Sequence, residues 1–213
     1  PTTGDGKTIT TIEPKFIPSN AVSLNLDEMK VNVRLVDCVG YIIESSTGYL
    51  EDGKMRMVQT PWFNDAIPFD DAAKIGTQKV IKDHSTLGIV ILSDGTINDF
   101  SVLDYMDAEK RVLNEMATLE KPYVIVLNSS MPNGEKAKAR KDELMQNYGV
   151  PVIPIDVKNM TKEEASLVLK EALYQFPVTG IELMLPTWVS SLDEEHYIKL
   201  SLKQSISNAM NEV

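Results

Sequence analysis

The stretches Leu87-Gly88-Ile89-Val90-Ile91-Leu92 and Tyr123-Val124-Ile125-Val126-Leu127 carry no charged side chain. A strand with one wet face alternates apolar and polar residues, so a continuous apolar run of strand length implies burial on both faces. Around these runs lie segments of helical composition: Phe69 to Lys82, Asp104–Leu119, Glu135–Tyr148 and Thr161–Tyr174. Within Asp104–Leu119, helical spacing puts Val112, Met116 and Leu119 on one face. Thr161 has the chemistry of an N-cap, and Glu164 completes a capping box with it. Val152–Ile155 supplies one more short apolar strand. Buried strands alternating with amphipathic helices predict an α/β fold on a mostly parallel, doubly wound sheet.

Upstream of this alternation the pattern changes. Ala21–Leu26 and Val31–Val36 read as two strands joined by the acidic turn Asp27-Glu28. Val31, Val33 and Leu35 alternate with Asn32 and Arg34, which predicts one buried and one partly wet face. Thr8–Ile12 is β-branched and reads as a short strand or extended loop, broken by Pro14 and Pro18. Tyr41 to Pro68, rich in Gly, Ser, Pro and charges, predicts a long loop, a class of segment that is often functional. Downstream, a soft boundary near Phe176-Pro177 divides a main domain (1–176) from an extension (177–213). The extension predicts a strand over Val178–Leu185, an interruption at Pro186 and a helix over Ser191–Glu212 that packs on the domain or leads into a further one.

A length of 213 residues suffices for a substantial core without staples. The single cysteine, Cys38, permits no internal disulfide, and with two histidines it makes no zinc-ligand spacing. A net charge of −10 argues against nucleic-acid binding and against adsorption to an anionic membrane. The start, Pro1 to Gly6, lacks signal-peptide character, and the chain reads as an internal piece of a longer protein.

Chemistry concentrates in Arg34-Leu35-Val36-Asp37-Cys38-Val39-Gly40, an apolar strand ending in Asp-x-x-Gly. In P-loop NTPases an aspartate at such a strand end lies on the Mg²⁺ side of the bound nucleotide. The glycine then lets a backbone N–H approach the γ-phosphate. The same residues also make ordinary turns after strands. Upstream, Thr8, Thr10 and Thr11 precede Glu13-Pro14 at the distance of a switch threonine, although threonines also simply favour strands. Downstream, Tyr123–Leu127 runs into Asn128-Ser129-Ser130-Met131, where GTPases carry Asn-Lys-x-Asp. Ser129 replaces the lysine and Met131 the guanine-reading aspartate, so Asn128 and Ser129 point to adenine or to no base reading. Pro1 to Thr8 imitates G-x-x-x-x-G-K-[ST], but no strand precedes it and Ile9 to Pro14 is poor helix material.

Other residues have simpler readings. Asp94 and Asp99 flank a Gly-Thr turn after a strand whose end faces the ligand in a doubly wound sheet, although turn chemistry is the simpler reading of both. His84 suits a helix end. Trp62 and Trp188 serve equally as partner anchors or as local packing. Glu163-Glu164 and Asp193-Glu194-Glu195 are helix-start acids.

Gly6-Lys7-Thr8-Ile9, Glu13-Pro14-Lys15-Phe16, Val33 to Tyr41, Thr60-Pro61-Trp62, Ile67-Pro68-Phe69, His84-Ser85-Thr86, Asp94-Gly95-Thr96-Ile97 and Glu171 to Val178 together resemble the stage IV sporulation protein A family. The resemblance runs in order from about residue 6 to about residue 190. It implies a GTPase-like ATPase domain in the basement layer of the bacterial spore coat. Such a domain uses ATP and Mg²⁺, and its hydrolysis drives self-polymerisation at the forespore surface, on the mother-cell side. Implied partners are further copies of the chain, other coat proteins and a small membrane-anchoring peptide. The family usually shows Thr-Thr directly before Glu-Pro, where this chain has Thr11-Ile12 with Thr10 one step earlier. The resemblance makes Asp37 the Mg²⁺-side aspartate, Thr11 or Thr10 the sensor, and Tyr41–Pro68 an enlarged switch II region. It also puts the true phosphate-binding loop upstream of Pro1 and further domains after Val213. The strand before that loop is expected between Val31–Val36 and Leu87–Leu92, and this chain alone is expected to lack ATPase activity. Two alternatives stay open: a non-hydrolysing scaffold of NTPase shape, and a receiver- or flavodoxin-like binding domain.

Overall fold

The computed structural model describes residues 15–26, 29–38, 40–43, 50–51, 53–97, 100–177 and 184–210. Thr10, Thr11 and the near-match Pro1 to Thr8 lie outside them, as do Asp27, Glu28 and Asp99. Two compact units divide the chain, Pro1–Gln175 and Phe176–Val213.

The first unit begins with an antiparallel hairpin of β1 (Lys15–Leu26) and β2 (Met29–Asp37). β1 runs through Pro18 rather than ending there. The ladder is irregular between Ile17 and Val22, which accommodates a residue with no N–H to donate. The expected burial of Leu35 is not met. Ile17 pairs with Leu35 and Val22 with Val33, and Ile17, Val22 and Leu35 are 47%, 45% and 54% exposed. Alternation shows which face is apolar; whether anything covers it is a tertiary matter.

The span expected as one long loop contains two small antiparallel ladders. β3 (Leu50–Glu51) pairs with β4 (Lys54–Met55), and β5 (Met57–Val58) pairs with β6 (Ile67–Pro68). Buried Val58 packs with Ala72, Ile67 and Phe69, which seats this segment on the helix that follows. That helix, α1 (Phe69–Lys79), continues into a π-helical turn, Val80–His84. Trp62 lies over α1, where a side chain at Gly76 would come within 3.2 Å of the indole.

The core is a parallel sheet of β7 (Gly88–Ser93), β8 (Tyr123–Asn128) and β9 (Val152–Ile155), in the order β7-β8-β9. Two helices, α2 (Val102–Thr118) and α3 (Glu135–Tyr148), bury Leu113, Met116 and Leu144 against Val90, Leu92, Ile125 and Leu127. On the other face α4 (Lys162–Leu173) sets Val168 and Ala172 against Val124, Val126 and Ile155. Helices on both faces explain why β8 is buried from Tyr123 to Leu127 and why its sequence shows no alternation. Thr161 and Glu164 form the expected capping box. Among the described residues β7 pairs only with β8, and β2 belongs to a different sheet.

In the second unit a short helix, α5 (Thr187–Ser190), comes first, and the helix expected over Ser191–Glu212 is present as α6 (Tyr197–Met210). His196 stops it from starting earlier: its Nδ1 accepts the Ile198 N–H at 3.3 Å, while its own N–H turns back to Asp193 O at 3.0 Å. Of the expected strand Val178–Leu185, residues 178–183 lie outside the description, and Met184 and Leu185 are not in a strand. No described helix is long and apolar enough to cross a membrane.

Candidate functional site

In a parallel sheet the strands' carboxyl ends share one edge, and ligands of open α/β folds bind there. Here the edge is formed by Ser93 and Asp94 at the end of β7, Asn128 and Ser129 at the end of β8, and Ile155 and Asp156 at the end of β9. Register aligns Ser93 with Asn128 and Asn128 with Ile155.

Asn128 spends its side-chain carbonyl within the protein, where Oδ1 accepts the Val157 N–H at 3.1 Å. Ser129 is fully buried; its Oγ accepts the Met131 N–H at 3.0 Å and its own N–H reaches Ile155 O at 3.0 Å. Ser129 therefore shapes the turn after β8, while Met131, at the position of the GTPase base reader, is 64% exposed.

From the sequence, turn chemistry is the simpler reading of Asp94. The turn is present: Oδ1 accepts both the Thr96 N–H at 3.0 Å and the Thr96 hydroxyl at 2.5 Å. Gly95 follows at φ 74°, where a Cβ would meet the Val102 nitrogen at 3.0 Å, so only glycine fits. Thr96 Oγ1 also accepts the Ser130 N–H at 2.9 Å, which ties the ends of β7 and β8 together. What the sequence concealed is that Asp94 is 1% exposed and that its Oδ2 has no hydrogen-bond partner among the described residues.

Asp37 ends β2 with an exposed carboxylate. Three residues on, Gly40 sits at φ 79°, a conformation that favours glycine. A residue the sequence did not flag holds this turn. Thr77, on α1 and 2% exposed, accepts the Gly40 N–H at 3.0 Å and donates its hydroxyl to Gly40 O at 3.3 Å. No local signal marks a lone helical threonine whose partner lies 37 positions away. Burial pushes the Cys38 thiol above its ordinary range and neighbouring Asp37 adds to this; the Gly40 backbone and Thr77 hydroxyl pull the other way. Among the described residues Asp37 and the carboxyl edge of β7-β8-β9 belong to different sheets.

Among the described residues no group of three or more His, Cys, Asp and Glu is arranged to hold a metal ion. A lone exposed carboxylate fits Mg²⁺, which retains waters and shares its coordination with phosphate oxygens instead of sitting in an all-protein cage.

The family model for "Stage IV sporulation protein A, ATPase domain" matches residues 1–177. Stage IV sporulation protein A of Clostridioides difficile is 46% identical over 211 residues, which are 97% of this chain and 43% of that protein. The proteins of the same name from Bacillus subtilis and Bacillus anthracis are 42% and 41% identical over 214 residues, covering 100% of this chain and 44% of theirs. The chain thus spans less than half the length of these relatives. No solved structure matches it significantly.

Proposed function

The chain belongs to the stage IV sporulation protein A family, and from that premise and the site above we propose that it forms the body of an ATP-hydrolysing motor for spore coat assembly. In the whole protein, hydrolysis drives self-polymerisation into the basement layer at the forespore surface. Further copies, other coat proteins and a small membrane-anchoring peptide are its partners, the last two through regions outside residues 1–213.

The observation that carries this reading is Asp37 at the carboxyl end of β2, followed by Gly40 in a left-handed turn. Asp37 would hold the Mg²⁺ side of the nucleotide, directly or through a water, and Gly40 would offer its N–H to the terminal phosphate once Thr77 releases it. Bound Mg²⁺ and its nucleotide supply charge neutralisation at the transferred phosphoryl group. Asn128 keeps its amide N–H groups for a nucleotide while its carbonyl is anchored to Val157. Thr11 or Thr10 would sense the terminal phosphate. The phosphate-binding loop itself would come from a segment upstream of Pro1, its strand pairing along the open edge of β7. The outer edge of β7, unpaired among the described residues, and the exposed apolar side chains of the β1–β2 hairpin support that arrangement.

Asp37→Ala in the full-length protein tests the reading. Loss of the metal-side carboxylate should abolish ATP turnover with the fold intact, an effect typically worth several kcal/mol on the barrier. A residue that merely ends a turn would cost about 1 kcal/mol of stability and leave turnover alone. Phosphate release and thermal unfolding are measured on the same variant. Turnover at the wild-type rate with a lowered melting temperature sinks the assignment.

A further inference from the structure

We propose that the groove between α1 and α2 docks an acidic surface of a second copy of this chain, in a head-to-tail contact that leaves both ends open to further copies; this rests on the self-assembly reading above.

The groove has a volume of about 690 Å³. Lys74 and Lys79 on α1, Lys82 in the π-helical turn and Arg111 on α2 line it, against the carboxylates of Asp83 and Glu115. Ile75 and Leu119, both half-buried, add apolar lining. A surface that serves only solubility carries the sign of the whole chain, and here the whole is −10. An excess of cations gathered in one concavity runs against that sign and costs mutual repulsion until an anion lies among them. The chain's own acids relieve it little. Lys74 and Lys82 are exposed and have no ion-pair partner among the described residues. Arg111 reaches Asp70 only at 3.8 Å, between side chains 52% and 36% exposed, where an ion pair contributes little.

Charge complementarity identifies the occupant. A chain of net charge −10 offers an acidic exterior on every copy. Asp142 on α3 and Glu163 on α4, for example, are exposed and unpaired among the described residues. A small anion would neutralise the lysines and leave Ile75 and Leu119 wet. Carboxylates carried on a polypeptide bring apolar atoms with them and cover both. The groove and the acids lie on different elements, so the contact joins two unlike patches. Such a heterologous contact propagates as a filament unless its rotation closes a ring. Tyr41 also lines the groove and directly follows Gly40, whose turn Thr77 on α1 holds. The docking groove and the proposed nucleotide turn therefore share α1 as a wall.

The test is sedimentation of polymer formed by the full-length protein with ATP. Lys74→Glu with Lys82→Glu puts carboxylates where the partner's carboxylates dock, and the critical concentration for assembly should rise at least about tenfold. ATP binding should match wild type. Lys30→Glu with Lys136→Glu makes the same change in net charge at exposed positions outside the groove and should assemble as wild type. Lys74→Gln with Lys82→Gln, which adds no negative charge, should give an intermediate rise. About one part in ten of the Glu variant mixed into wild type should shorten the polymers, because it adds through its intact acidic surface and then offers no groove to the next copy. Assembly of the Glu variant at the wild-type concentration overturns the proposal. An equal loss in the control pair also overturns it, by making net charge the cause. Wild-type assembly combined with lost binding of inorganic tripolyphosphate gives the groove to a small anion and overturns it as well. Polymers of undiminished length in the mixture refute the head-to-tail arrangement. A wild-type protein that does not assemble overturns the self-assembly reading and this inference together, whereas a wild type that assembles and is matched by the Glu variant overturns this inference alone.

Discussion

Replacing Thr77 by valine tests how the turn after Asp37 is held. Valine keeps the shape of the 2%-exposed side chain, so little packing is lost and the change isolates the hydroxyl. That hydroxyl makes two bonds to Gly40, one accepted at 3.0 Å and one donated at 3.3 Å. At roughly 0.5–1.5 kcal/mol for each neutral bond, the loss is about 1–3 kcal/mol. For a folded unit of this size that lowers the melting temperature by about 2–10 °C. Thr77→Ser is the control: it keeps the hydroxyl and loses one methyl, about 0.8 kcal/mol. The second consequence follows from competition. If the Gly40 N–H must leave Thr77 to reach a phosphate, the bond exists only without nucleotide, and removing it shifts the population toward the bound arrangement. Thr77→Val should then bind ATP more tightly, by up to about tenfold for each 1.4 kcal/mol lost from the free state. Thermal unfolding without nucleotide and equilibrium ATP binding, both on the full-length protein, read the two effects. A lowered melting temperature with unchanged or weaker ATP binding refutes the competition. An unchanged melting temperature shows that the two bonds contribute nothing.

Two further outcomes are expected. Arg140 on α3 reaches both carboxylate oxygens of Glu109 on α2, and both side chains are more than nine-tenths buried. Arg140→Ala should cost about 3–5 kcal/mol by leaving Glu109 buried and unpaired, whereas the Arg140→Met, Glu109→Leu double variant should recover most of it; equal urea midpoints for single and double variants would contradict this. Burial pushes the Cys38 thiol above its ordinary range, so the reactive thiolate is scarcer at any pH below that range than in an open peptide. Alkylation by iodoacetamide should be slow at neutral pH and still accelerating past pH 9; a rate that levels off below pH 8.5 would show the opposite shift.

The legible parts of this fold are those in which one local pattern had one physical cause. Tyr123–Leu127 is apolar throughout because α2 and α3 cover one face of β8 and α4 the other. The Thr161–Glu164 box is a four-residue signal that needs no tertiary context. Elsewhere the cause was not local. Strands of two residues, such as Met57–Val58, are too short to show a period, so the span up to Pro68 reads as loop. Acids before a helix suit its first turn whether they lie inside or outside it, so Asp193 to Glu195 did not betray that α6 begins at Tyr197. The pairing of Thr77 with Gly40 and the burial of the Asp94 carboxylate are tertiary properties that no local pattern displays.

The alternation of Val31, Val33 and Leu35 is the instructive case, because Val31 and Val33 are only half-buried and Leu35 is exposed. Ile17, Val22 and Leu35 on the hairpin and Ile91 on β7 are between 45% and 59% exposed, although their sequence context is that of a covered sheet. Exposed apolar residues in contiguous patches mark surfaces that bind something. Among the described residues β7 pairs on one side only. A further strand on its other side, as the proposed nucleotide-binding arrangement requires, would supply the backbone pairing that this edge lacks. A scaffold already complete would leave the edge as a template for pairing with other chains, which is why the nucleotide-binding proposal is preferred to an inert shell.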